Sequence, residues 1–201
     1  MTKVFVHGNP ETSAIWMALD RELRERGVDD IVLLSPPGFG TPSPDGWDAT
    51  PADYRAWLVE QLEEIGAPVD LVGHDWGAGH VYGLLDTRPD LVRTWAADCV
   101  GLIHPDYEWH DAAQAWQTPE VGEEVVAAMF GTPTEEKVAM LVSLGISDEA
   151  APAVAAGMNT DMGRCVLALY RGARQPYLAD LGARLAGSSL PPGLVIVATE
   201  D

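Results

Sequence analysis

Short apolar runs alternate along the chain with segments whose apolar residues recur every three or four positions. The runs are rich in β-branched side chains and show little polar alternation, which is typical of parallel strands covered by helices on both faces. The alternation predicts an α/β fold, in which helices flank a mostly parallel sheet. The predicted strands are Val4–Val6, Ile31–Leu34, Val69–Val72, Thr94–Ala97 and Leu194–Ala198.

The helix that follows residue 50 has clear start and stop signals. Thr50 offers an N-cap hydroxyl, Pro51 fits the first helical position, and Gly66 is a typical residue just after a helix end. A second helix is predicted over Thr12–Arg26. Apolar residues after Pro51 recur at helical spacing and predict one buried stripe, made of Tyr54, Trp57, Leu58, Leu62 and Ile65.

The region from Pro105 to Pro192 has a different pattern. It contains no strand-like run and reads as several short helices separated by Pro, Gly and Ser. The strand pattern returns at Leu194. We therefore predict a hydrolase-type core at residues 1–104 and 193–201 and a helical cap insertion at residues 105–192.

A sharp turn is predicted between the third strand and the helix that follows it. The segment Gly73-His74-Asp75-Trp76-Gly77 follows the Gly-x-Asp-x-Gly pattern of a nucleophile elbow, with aspartate where serine is more usual. Glycine neighbours permit the strained central residue, and the N-terminus of the next helix favours an ionised Asp75. A glycine-rich turn with a solvated aspartate is the alternative. The flanking strand and helix favour the functional interpretation.

A second motif, His7-Gly8-Asn9-Pro10, follows the first strand. With the elbow, it resembles the α/β-hydrolase superfamily, in the branch of haloalkane dehalogenases and epoxide hydrolases. That resemblance implies that Asp75 attacks carbon to form an alkyl ester, which a histidine-activated water then hydrolyses. It also implies that the backbone N–H groups after Gly8 and after Asp75 stabilise developing negative charge. His7 is interpreted as structural.

The nature of the leaving group is left open by the motifs. Trp76 resembles the indole donor that holds a departing halide in dehalogenases, but many epoxide hydrolases carry the same residue there. Asn9 resembles the second, amide donor of dehalogenases, and it makes a dehalogenase the leading hypothesis. Epoxide hydrolases instead need phenol donors from the cap. Tyr170 and Tyr177 lie in the insertion and are candidates for that role, although packing residues are the alternative.

The remaining members of the catalytic triad are only partly visible in the sequence. The resemblance implies that Asp201, after the late strand, orients a histidine; Asp98 is a rival, although the aligned position falls on Cys99. The family pattern has two further strands before Val4 and a last strand, a catalytic histidine and a helix after the acid. Either the chain is the early part of a longer enzyme, or it is a catalytically incomplete module that binds a ligand. His110, in the insertion, is a candidate to approach the site; a solvated surface histidine is the favoured alternative.

Composition limits the possible partners. The 12 basic and 31 acidic residues give a formal charge of −19, which disfavours binding to nucleic acid or to anionic membrane surfaces. The two cysteines, Cys99 and Cys165, lack metal-type spacing. We expect a cytoplasmic protein that uses no cofactor or metal and acts on a small apolar organic substrate with water.

Overall fold

The computed structural model describes residues 1–198 and contains one five-stranded parallel sheet. The strand order is β2-β1-β3-β4-β5, so β1 and β3 lie side by side near the centre. This confirms the predicted α/β class. The strands are β1 Lys3–Val6, β2 Ile31–Leu34, β3 Val69–Gly73, β4 Val92–Ala97 and β5 Gly193–Val195. The last is shorter than predicted, because its pairing with β4 stops at Val195.

Three helices connect the first four strands: α1 Met17–Glu25, α2 Pro51–Ile65 and α3 Trp76–Thr87. The start and stop signals of α2 act as predicted, because Thr50 and Asp53 form a reciprocal capping box and Gly66 has a φ of 93°. The predicted stripe faces the core; Tyr54, Leu58 and Leu62 are fully buried, and Trp57 and Ile65 are partly buried. The helix predicted over Thr12–Arg26 instead begins as a 3-10 turn, Ser13–Trp16, before α1.

The long stretch between β4 and β5 is helical, as its pattern predicts. Helices α4, α5 and α8 pack against one another, whereas α9 packs against α3 beside the sheet. The division into a core and a cap stays a prediction. Within residues 1–198, no helix combines the length and the apolarity needed to cross a membrane. The helices are α4 Asp111–Gln117, α5 Val121–Gly131, α6 Thr134–Ser143, α7 Ala151–Gly157, α8 Thr160–Gly172 and α9 Tyr177–Ala186.

The first turn of α3 lies in direct backbone contact with the end of β1. A Cβ atom on Gly77 would lie 2.1 Å from the carbonyl oxygen of Val6, and one on Gly73 would lie 2.6 Å from the carbonyl oxygen of Gly77. Both distances are far below van der Waals contact. Only glycine at these two positions therefore allows the chain to reverse tightly from β3 into α3 against β1.

We predict that Gly77→Ala is strongly destabilising, by on the order of 3 kcal/mol, because the added methyl group meets rigid backbone. The matched control is Gly83→Ala in the same helix, where a Cβ would lie 3.8 Å from the nearest side-chain atom of Arg55. That variant should be neutral or up to about 1 kcal/mol more stable, because alanine favours helix. Urea unfolding measures both. Equal effects at the two positions would contradict the role of the close approach.

Candidate active site

Asp75 occupies the turn between β3 and α3 in a strained backbone conformation. Its φ of 51° and ψ of −121° lie in a region that residues with side chains rarely adopt. Its backbone N–H donates to Oδ1 of Asp98 at 2.9 Å. The turn therefore presents the side chain of Asp75 at the carboxyl edge of the sheet, which is where α/β sheets place their ligands.

The loop after β1 contacts the carboxylate of Asp75 directly. The backbone N–H of Asn9 donates to Oδ1 of Asp75 at 2.8 Å. This is the N–H that follows Gly8 in the sequence, whereas the N–H of Gly8 itself donates to Oε2 of Glu11 at 2.9 Å. A Cβ on Gly8 would lie 2.1 Å from Oδ1 of Asp75, so Gly8 supplies the space that this contact requires.

The carboxyl group of Asp75 is harder to ionise than an exposed one. Burial, followed by the negative charge of Glu11, raises its pKa to about 6. The backbone N–H groups of Trp76 and Asn9 act in the opposite direction, as does the positive charge of His74. The carboxylate is thus the main form of Asp75 at neutral pH, although it is only moderately stabilised there.

Asp75 lines a small cavity of about 180 Å³ whose other walls are mostly aromatic. The rings of Trp76 and Trp109 stack at 24° with centroids 6.1 Å apart, and Tyr170 packs edge-on against Trp76. At about 30 Å³ for one water molecule, the cavity has room for a compact molecule of roughly six heavy atoms. The lining residues are Asp75, Trp76, Cys99, Leu102, Tyr107, Trp109, His110 and Tyr170.

Three hydrogen-bonding side chains converge beside this cavity. Both polar atoms of the Asn9 amide are buried without a hydrogen-bond partner among residues 1–198. The hydroxyl of Tyr170 lies near the Asn9 amide and the Trp76 indole, which lower its pKa, while burial and the charge of Asp75 raise it by more. A buried amide without a partner is costly, so a bound group that accepts its N–H would stabilise the site.

Of the two candidate tyrosines of the insertion, the structure places only one at the cavity. Tyr170 lines the cavity, but Tyr177 lies at the start of α9, which packs against α3, and does not line it. Tyr107 also lines the cavity, and burial, followed by the proximity of Cys99 and Asp75, raises its pKa. The dense aromatic run from Tyr107 to His110, shortly after a predicted strand, is the signal that points to this residue.

The five histidines of the described chain differ in their contacts. His7 is buried between Ser35 and the carbonyl of Gly8, in agreement with a structural role. His80 is also buried, and burial lowers its pKa to about 3. His104 is exposed, and its Nδ1 accepts the N–H of Asp106.

His74 and His110 are the two histidines beside the site. His74 donates from Nδ1 to Asp98 at 2.5 Å, so it is paired already. His110 lines the cavity and is at the same time exposed to solvent. Its Nδ1 accepts the N–H of Ala113 at 3.2 Å, so the neutral ring carries its proton on Nε2.

The two acids proposed from the sequence differ in what can be said of them. Asp201 lies outside the described residues. Asp98 lies at the end of β4 and faces both His74 and the backbone of Asp75, whereas Cys99 lines the cavity. Within residues 1–198, no three His, Cys, Asp or Glu side chains are grouped as a metal ion would require.

Comparison with known proteins yields related hydrolases. A haloalkane dehalogenase from Bradyrhizobium diazoefficiens is 27% identical over 194 residues, which cover 88% of this chain and 58% of that protein. Another from Mesorhizobium japonicum is 29% identical over 138 residues, covering 62% of this chain and 42% of that protein. The chain thus spans less than two thirds of the length of these relatives.

Solved structures share the fold. A haloalkane dehalogenase from Bradyrhizobium elkani superposes with a TM-score of 0.72 at 25% identity, covering 98% of this chain and 72% of that one. Epoxide hydrolase A from Mycobacterium thermoresistibile gives a TM-score of 0.71 at 20% identity, covering 98% and 75%. The model of the alpha/beta hydrolase family matches residues 4–201. The chain therefore belongs to the alpha/beta hydrolase family.

Proposed function

We propose that the protein uses the carboxylate of Asp75 to displace a leaving group from carbon, forming an alkyl ester on the enzyme. The observation that carries this proposal is the contact between the Asn9 N–H and Oδ1 of Asp75 at the wall of a small aromatic cavity. With Oδ1 held, Oδ2 is the attacking oxygen. Its bond to carbon forms as the bond to the leaving group breaks, and the leaving group keeps the electron pair.

Dehalogenation is the reaction that the donors beside the cavity support best. A departing halide gains negative charge and requires N–H donors, which the Asn9 amide and the Trp76 indole can supply. Within the described chain the amide of Asn9 makes no hydrogen bond of good geometry, although the Tyr170 hydroxyl lies near it. The haloalkane dehalogenases among the relatives support the same assignment.

Epoxide hydrolysis is the second candidate, and the tyrosines favour it. Tyr107 and Tyr170 both line the cavity that contains Asp75. When Asp75 attacks an epoxide carbon, the ring C–O bond breaks and the oxygen takes a proton from a phenol O–H. Burial raises the pKa of both tyrosines, which keeps the O–H protonated and available as a donor.

Release of the product requires hydrolysis of the ester by water. The tetrahedral intermediate would place negative charge on Oδ1 of Asp75, which the N–H of Asn9 already contacts. Water attack also needs a base. His110 carries its proton on the nitrogen that is free of the helix cap, so in its neutral form it does not fill that role.

We predict that incubation with 1-bromobutane, which fits the cavity, adds one butyl group to Asp75, detected by intact-mass spectrometry and peptide mapping. Asp75→Asn should abolish the adduct, because an amide is a far weaker nucleophile. Asp45→Asn, at an exposed position, is the matched control and should react like the parent protein.

The competing class is a module that only binds its ligand. It predicts no adduct with 1-bromobutane or styrene oxide, together with reversible binding of a small apolar ligand that Asp75→Asn leaves unchanged. That pair of results, from folded protein, would overturn the nucleophilic role of Asp75.

The leaving group can be identified from two variants with opposite expectations. For a dehalogenase, Asn9→Ala should slow alkylation by 1-bromobutane about 100-fold, since one donor to the developing anion is lost, while Tyr107→Phe has little effect. For an epoxide hydrolase, Tyr107→Phe should slow alkylation by styrene oxide and Asn9→Ala should matter less. The rate of adduct formation in a single turnover, followed by mass spectrometry, distinguishes the two reactions.

The reaction should also report the ionisation of Asp75. Because the carboxylate is the nucleophile and its pKa is about 6, the rate of adduct formation should rise about tenfold per pH unit below that value and level off above it. Single-turnover rates between about pH 4.5 and 8 provide the test. A rate that stays constant down to the lowest pH would show that Asp75 ionises like an exposed carboxyl group.

A further inference from the structure

A chain of side-chain contacts joins the two backbone segments that form the site. On one side, Nδ1 of His74 donates to Oδ2 of Asp98 at 2.5 Å, and Oδ1 of Asp98 accepts the backbone N–H of Asp75 at 2.9 Å. Asp98 thus holds the elbow through its backbone. Its other oxygen binds the imidazole of the residue just before the nucleophile.

The same imidazole faces a second carboxylate on its other edge. Nε2 of His74 lies 3.5 Å from Oε1 of Glu11, and Oε2 of Glu11 accepts the backbone N–H of Gly8 at 2.9 Å. Glu11 is buried, with only 8% of its surface exposed. Gly8 precedes Asn9, whose own N–H contacts Asp75. Glu11 therefore holds the loop after β1 as Asp98 holds the elbow.

The protonation state of His74 follows from this geometry. Both ring nitrogens face carboxylate oxygens, which only accept hydrogen bonds. This arrangement favours the imidazolium form of His74, in which both nitrogens carry a proton. The hydrogen bond to Asp98, with that to Glu11, accordingly raises the pKa of His74 to about 10. Burial alone would raise the pKa of Asp98, but the hydrogen bond and the positive charge of His74, together with the backbone N–H of Asp75, lower it below its usual value.

The imidazolium of His74 lies among several acidic groups near Asp75. Glu11 and Asp98 bring two negative charges beside the nucleophile, and Tyr107, Tyr170 and Cys99 face it from the cavity side. His7 also lies within electrostatic range of His74, but its burial lowers its pKa and keeps it neutral. His74 is the positive charge that acts on Asp75 from within the described residues.

We propose that His74 is a positioning residue: as an imidazolium between Glu11 and Asp98, it joins the loop after β1 to the elbow and offsets the charge of Glu11 beside Asp75. This role rests on the proposed function of Asp75, since what it positions is that nucleophile. It also means that His74 does not activate water, because Nδ1 donates to Asp98 and Nε2 faces the carboxylate of Glu11.

We call the arrangement of Glu11, His74 and Asp98 the bridge. It can be tested without any turnover. In the parent protein, imidazole ¹⁵N NMR should show both nitrogens of His74 protonated at neutral pH and up to about pH 9. Carboxyl ¹³C NMR, with the Asp75 signal assigned by its loss in Asp75→Asn, gives the pKa of Asp75 directly. His74→Gln should raise that pKa and Glu11→Gln should lower it, each by roughly half to one pH unit. His104→Gln is the matched control and should leave it unchanged.

The outcomes separate this inference from the function on which it rests. A neutral His74 imidazole would overturn the bridge even if Asp75 is alkylated. The bridge would also be overturned if His74→Gln and Glu11→Gln change the pKa of Asp75 no more than His104→Gln does. If the NMR results hold but no haloalkane or epoxide alkylates the parent protein, the bridge stands and the proposed reaction falls. The ¹⁵N measurement uses the parent protein, so it decides the matter even if His74→Gln fails to fold.

If alkylation does occur, a kinetic result complements the NMR. The acidic limb of the rate profile should move to higher pH in His74→Gln and to lower pH in Glu11→Gln, in step with the two pKa values. A loss of rate in His74→Gln that is the same at every pH would instead indicate general structural damage and would contradict the electrostatic part of the role.

Discussion

The site depends on how closely the backbone at the start of α3 approaches the end of β1. The missing side chain of Gly77 brings that helix against the carbonyl of Val6, and the missing side chain of Gly8 leaves space for the carboxylate of Asp75. Two backbone segments that are 66 residues apart in sequence can therefore exchange a hydrogen bond at 2.8 Å. Neither a longer side chain at these glycines nor a looser turn would preserve that contact, because protein interiors are too closely packed to absorb an extra methyl group against the backbone.

Three carboxylate groups lie close together around this contact. Asp75, Glu11 and Asp98 lie within one small region of a chain whose formal charge is −19. Carboxylates placed so close together repel one another unless hydrogen-bond donors and a positive charge lie between them. Backbone N–H groups of Gly8, Asn9 and Asp75 supply the donors. The imidazole of His74, which is not among the residues that line the aromatic cavity, supplies the charge.

Local sequence signals were sufficient for the sheet and for the placing of Asp75, Asn9 and Trp76 at one edge of it. Strand patterns and the Gly-x-Asp-x-Gly turn act over a few residues, so the sequence carries them directly. The residues that surround Asp75 depend instead on long-range packing. Tyr107 rather than Tyr177 faces the cavity because of how the segment after β4 folds back over the sheet. The contacts of Glu11, His74 and Asp98 join three different loops, so the spacing of these residues in the sequence does not predict them. Asp201 lies outside the described residues, so its proposed role stays a prediction.

The raised pKa of Asp75 has a consequence for the balance between activity and folding. An exposed aspartate ionises near pH 3.8, whereas Asp75 does so near 6, so the folded chain holds this proton more tightly than the unfolded chain does. Above about pH 6 the ionised Asp75 therefore lowers the free energy of unfolding. This effect disappears as the pH falls below the pKa that Asp75 has in the unfolded chain. In the proposed ester that charge no longer exists. Formation of the proposed ester would therefore remove an unfavourable charge, and the alkylated protein would be more stable to unfolding at neutral pH than the free protein.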